Sequence, residues 1–225
     1  MSRIAEVLER LQARYGDVAS PAPEAPYALV IFLNCGYPAS DERCAKGFAA
    51  LAAAIGLEPA AILAADDAAL AQAMTAGGMI PELRAARLRA IATAVRDLPG
   101  GDLRAAFTAN PVKAKALIRR FPTLGEPAAE RILLFCGLAP EAAAPASCLH
   151  VLTRLGLCDE GRDFPATYRA ARAAIAAGVE EDFAARRRAY LLLKAHGHDL
   201  CRRSAPRCCQ CPVNAICPYV GNAAR

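Results

Sequence analysis

Apolar residues recur along this chain at helical spacing, and prolines, glycines and small polar side chains punctuate them. In SRIAEVLERLQARYGD, Ile4, Val7, Leu8 and Leu11 fall at i, i+3, i+4 and i+7, with Ser2 at the N-cap and Gly16 at the stop. SPAPEAP, residues 20–26, is a proline-rich connection. The run YALVIFLNC suits a buried strand or a buried helix by pattern alone, and its helical neighbours favour helix. After Pro81, ELRAARLRAIATAVRDL sets Leu88, Ile91, Val95 and Leu98 on one face, and PGG closes it. Asn110-Pro111 opens NPVKAKALIRR, FPTLGE breaks it, and PAAERILLFCG then runs to Gly137. LHVLTRLGL and the stretch from Phe164 to His196 carry the same period. No segment alternates with period two, so the expected fold class is all-α.

Composition agrees. The 225 residues suffice for one large domain or two small ones, and 55% of them are hydrophobic, alanine above all, with no tryptophan. GFAALAAAIGLEPAAILAA is interrupted by Glu58 and Pro59, so it reads as packed helices rather than a membrane span. With no basic, apolar leader, the expected location is cytoplasmic. The net charge of +5 is lopsided: residues 1–112 hold 10 Lys+Arg against 12 Asp+Glu, residues 113–225 hold 17 against 10. A basic second half admits a polyanionic partner. RRR at 186–188 reads more readily as a solvated helix face.

Near the end stands CRRSAPRCCQCPVNAIC. Cys201, Cys208, Cys211 and Cys217 follow the spacing C-x6-C-x2-C-x5-C, with Cys209 as an extra. Four thiolates from one short loop suit a [4Fe–4S] cluster or a tetrahedral zinc. Zinc sites usually show two short knuckles, whereas this loop has one C-x2-C with longer flanks, which favours the cluster. Disulfides do not fit a chain without an export signal.

That spacing, with His196-Gly197 just before the first cysteine, resembles the cluster loop of the endonuclease III family of DNA glycosylases. FPTLG at 121–125 is similar to the family's helix–hairpin–helix turn, Leu-Pro-Gly-x-Gly, in which backbone N–H groups at a helix N-terminus hold a DNA phosphate. The resemblance makes Pro122, Thr123, Leu124 and Gly125 DNA-binding candidates. Thr123 replaces the first glycine of that turn, and Glu126 sets a negative charge beside it. YALVIFLNCGYPASDERCAKG is similar to the family's early helix and duplex-inserting loop, which makes Tyr37 a candidate to stack in the gap left by an extruded base. The resemblance covers roughly residues 3–218 and implies two helical domains. Residues 25–138 would form a six-helix domain ending in the hairpin, and residues 1–24 with 139–225 an iron–sulfur domain. Double-stranded DNA, damaged or mispaired, would lie in the cleft between them.

The resemblance fails where the family does its chemistry. A lysine after the hairpin attacks the sugar, and an aspartate further on stabilises its developing positive charge. Here the lysine position falls on Pro127, the aspartate position on Pro145 and a following arginine position on His150. The remaining candidates for acid–base work are Glu130, Glu141 and His150, with Glu126 and Cys148 beside them. Three readings follow: a cluster-bearing DNA-binding relative without lysine-dependent glycosylase or lyase chemistry, a DNA glycosylase using other residues, and a cluster-based redox module.

Overall fold

The computed structural model of the chain describes residues 2–36 and 40–223. Among these every regular element is helical, as the absence of period-two patterning predicts. Helix α1, Arg3–Tyr15, starts where the Ser2 hydroxyl accepts the Ala5 N–H at 3.3 Å and stops at Gly16, whose φ of 63° suits glycine. Its apolar stripe, Ile4, Val7, Leu8 and Leu11, is buried.

The chain divides into two compact units, Ser20–Ile132 and Met1–Ala19 with Leu133–Arg225. The first holds α2 (Pro26–Gly36), α3 (Asp41–Ala54), α4 (Pro59–Ala64), α5 (Asp67–Met74), α6 (Pro81–Arg96), α7 (Leu103–Thr108), α8 (Pro111–Ile118) and most of α9 (Glu126–Phe135). Leu29 through Cys35 are all buried, which settles YALVIFLNC as a helix enclosed on every side. It packs against α3 and α6, while α4 and α5 pack against α6. Six helices were expected here, and the described residues hold more because two of them are short. Asp66 and Asn110 act as fresh N-caps soon after the six-residue α4 and α7, and the Asn110 side chain accepts the Lys113 N–H at 3.0 Å.

The second unit adds α10 (Leu149–Arg154), α11 (Phe164–Gly178), α12 (Phe183–Asp199) and α13 (Pro218–Ala223) to α1 and the end of α9. The α1 stripe, Leu149, Leu152, Tyr168, Ile175, Leu193 and Val213 share one core, and half-buried Cys201, Cys211 and Cys217 pack against it. Gly197 is required by close packing: a Cβ there would come 2.5 Å from the Cys148 sulfur.

RRR at 186–188 is not the solvated face that its composition suggests. Arg186 is buried and donates to the Pro140 carbonyl. Arg187 donates to the carbonyls of Leu134 at 3.0 Å and Phe135 at 2.8 Å, at the C-terminus of α9. Of the three, Arg188 is the exposed one.

Candidate metal centre and nucleic-acid interface

Beyond α12 the chain folds as a series of tight turns. The Cys201 N–H returns to the His196 carbonyl at 2.8 Å, and single 3-10 turns cover Cys208–Gln210 and Asn214–Ile216. These turns bring Cys201, Cys208, Cys211 and Cys217 around one small cavity, whose walls include Leu155 and Leu200. Cys209 points elsewhere and is exposed. Neighbouring elements grip the loop by its backbone. Arg154 of α10 donates to the carbonyls of Arg202 at 2.6 Å and Arg203 at 2.8 Å, and Arg3 of α1 to that of Ile216 at 2.8 Å. Burial pushes the Cys201 and Cys211 thiols up, and the Arg154 guanidinium and the Val213 N–H respectively pull them back.

Among the described residues, no group of three or more His, Cys, Asp or Glu side chains is placed to hold one metal ion. A four-iron cluster makes a different demand: each thiolate binds its own iron, so the sulfurs surround a volume rather than a point. A cavity bordered by four cysteines and no carboxylate suits that demand in kind.

The hairpin turn lies between α8 and α9. Phe121 and Leu124 are buried, and Gly125 is exposed. The left-handed residue of this turn is Thr123, with φ 65°, an unfavourable setting for a β-branched side chain. Its hydroxyl donates to Oδ1 of Asn34 at 3.1 Å, and Asn34 is itself fully buried in α2. Gly125 has no such constraint, since an added Cβ would meet only the Pro127 ring at 3.8 Å. The first turn of α9 carries Glu126, and Pro127 contributes no N–H there.

The two positions that the sequence resemblance aligns with a catalytic lysine and aspartate are both proline. Pro127 is the second residue of α9, and Pro145 is buried with φ −70° and ψ 105°, its carbonyl accepting the Cys148 N–H at 2.8 Å. The candidate substitutes are engaged in other contacts. Glu130 is fully buried and bonds the Lys115 ammonium at 2.5 Å. Glu141 pairs with Arg172 at 3.3 Å. His150 donates from Nε2 to the Cys201 carbonyl at 2.7 Å, and burial lowers its pKa. Cys148 is buried, with its sulfur toward the Lys194 carbonyl.

Tyr37 lies outside the described residues, but the helices that flank it in sequence are both tied to the hairpin region. Asn34 takes the Thr123 hydroxyl, and Asp41, at the start of α3, takes a bidentate Arg131 at 3.0 and 2.6 Å. A second exposed feature escaped the sequence reading. Met79 (86% exposed), Ile80 (60%) and Leu83 project at the N-terminus of α6, and Ile80 holds φ 58°. The signal was Met-Ile set between Gly-Gly and Pro, two apolar residues where a polar turn belongs.

These features define, among the described residues, an all-α architecture of two units. No family model and no curated protein matches the sequence. Solved structures do match. The chain is similar to endonuclease III in a non-covalent complex with DNA, at TM-score 0.80 and 15% identity, over 100% of this chain and 99% of that one. It is similar to endonuclease III in a trapped covalent intermediate with DNA, the estranged-adenine complex, at TM-score 0.79, 15% identity and full coverage of both chains. A thermostable thymine-DNA glycosylase follows at TM-score 0.75 and 16% identity, over 97% of this chain and 95% of that one. At such identities the likeness is one of fold. Among the described residues, no helix is long and apolar enough to cross a membrane.

Proposed function

We propose that this chain binds distorted or damaged duplex DNA through its hairpin unit and carries a [4Fe–4S] cluster on Cys201, Cys208, Cys211 and Cys217, without the lysine-dependent chemistry of endonuclease III. The observation that carries the reading is the full-length likeness to endonuclease III structures solved with DNA, joined to a site holding proline at both catalytic positions. When bound, the cluster would fix the basic C-terminal loop and add one-electron chemistry. The α9 N-terminus would face a backbone phosphate, weakly, because Pro127 removes a donor and Glu126 adds a negative charge. The Met79–Ile80 tip has the character of an apolar wedge that enters between base steps and kinks the duplex. Glu130, Glu141 and His150 are each held by a structural partner, which speaks against a substitute catalytic group.

Fluorescence anisotropy with duplexes carrying an abasic site, a mismatch or neither tests the binding, and borohydride trapping tests the chemistry. Binding should be largely independent of sequence, should favour the distorted duplexes and should weaken as salt rises. No covalent adduct should form. Absence of binding at low salt would refute the DNA reading, and a trapped adduct would show that another amine has taken the lysine's role.

A further inference from the structure

His196 is 1% exposed in the last turn of α12 and has a partner at each ring nitrogen. Nδ1 stands 3.2 Å from the Tyr15 hydroxyl oxygen on α1, and Nε2 stands 3.7 Å from the Cys211 sulfur. The two rings meet edge to face, 6.1 Å between centroids, which fixes the imidazole plane. A neutral imidazole has one N–H and one lone pair, so the partner at one nitrogen decides what the other offers. If the Tyr15 hydroxyl donates to Nδ1, the proton sits on Nε2 and faces the sulfur. The opposite arrangement needs Cys211 to donate an S–H, which an iron-bound thiolate does not have. Asp199 also faces the Tyr15 hydroxyl and competes for its proton, but it stands beside the Arg14 guanidinium at 3.9 Å.

We propose that Tyr15 and His196 form a relay that fixes the His196 tautomer and aims an N–H at the Cys211 thiolate, making both of them positioning residues for the cluster. The inference rests on the cluster reading of the loop given above. An N–H bonded to a ligating sulfur withdraws charge from it, favours the more negative reduced cluster and raises its reduction potential. Through this relay the N-terminal helix would tune a loop at the other end of the chain.

The test uses the purified holoprotein, with the midpoint potential taken from a dye-mediated titration followed by electron paramagnetic resonance. The rate of iron loss to a chelator is the second readout. His196→Phe should shift the potential downward and speed iron loss about tenfold. His196→Gln, whose amide N–H can reach the same sulfur, should stay near the wild-type potential. Tyr15→Phe, which releases the tautomer, should shift it downward by less, and it carries the test if His196→Phe does not fold. A wild-type potential in Tyr15→Phe together with one in His196→Phe, or in Tyr15→Phe alone if the other variant cannot be made, would overturn the relay and leave the cluster standing. Wild-type protein purified anaerobically without iron would instead overturn the cluster reading itself.

Discussion

Thr123 combines a local cost with a long-range compensation. A β-branched residue in left-handed conformation is strained by about 1–3 kcal/mol, and its hydroxyl offsets this by satisfying the buried Asn34 carboxamide. Thr123→Val keeps the strain and removes the bond, so it should destabilise the chain by about 1–3 kcal/mol. Thr123→Gly removes both and should be close to neutral. Urea unfolding of the two variants checks the difference, and equal losses would show that the left-handed backbone at 123 carries no strain. The same scale explains why proline is tolerated at 127 and 145, the two positions where the sequence resemblance leads one to expect an amine and a carboxylate. Pro127 sits early in α9, where its missing N–H breaks no helical bond, and Pro145 packs in an extended turn.

At the scale of elements, the first unit is joined by buried polar links as well as by apolar packing. Asp41 of α3 and Arg131 of α9 form a bidentate pair, and both are buried. Arg131→Met would strand a buried carboxylate and should cost about 3–5 kcal/mol. Adding Asp41→Leu should recover most of that loss, because removing both charges also removes their desolvation cost. A double-mutant cycle on unfolding midpoints measures the coupling, and simple additivity would mean that the pair does not act as a unit. The second unit uses arginines similarly, Arg186 and Arg187 closing the chain after α9 and Arg154 holding the cysteine loop.

For the molecule as a whole, the cysteine loop is the part that a single metal analysis tests. Iron and sulfide should be found at about four each per chain, with a yellow-brown colour. Changing Cys201, Cys208, Cys211 or Cys217 to serine should each abolish it, and Cys209→Ser should preserve it, since Cys209 lies off the shared cavity. One stoichiometric zinc in colourless protein would reject the cluster. The basic surplus of residues 113–225 is a poor guide to a polyanion-binding surface, because part of it is consumed internally by Arg131, Arg154, Arg186 and Arg187.

Helix positions, their caps at Ser2 and Asn110, the buried stripe of α1 and the cysteine spacing were all legible from residue order. They depend on interactions a few residues apart, which the sequence displays directly. The absence of an amine and a carboxylate at 127 and 145 was equally plain, since proline has no side chain able to supply either. What residue order could not show were partners nearly ninety or more positions away. Thr123 meets Asn34, Arg131 meets Asp41, and Tyr15 meets His196 only after the helices have packed. Tertiary structure therefore decided which charged and polar residues are fasteners and which remain available to a ligand. Charge and hydrogen-bonding capacity belong to a residue type, whereas the partner that uses them up is set by folding.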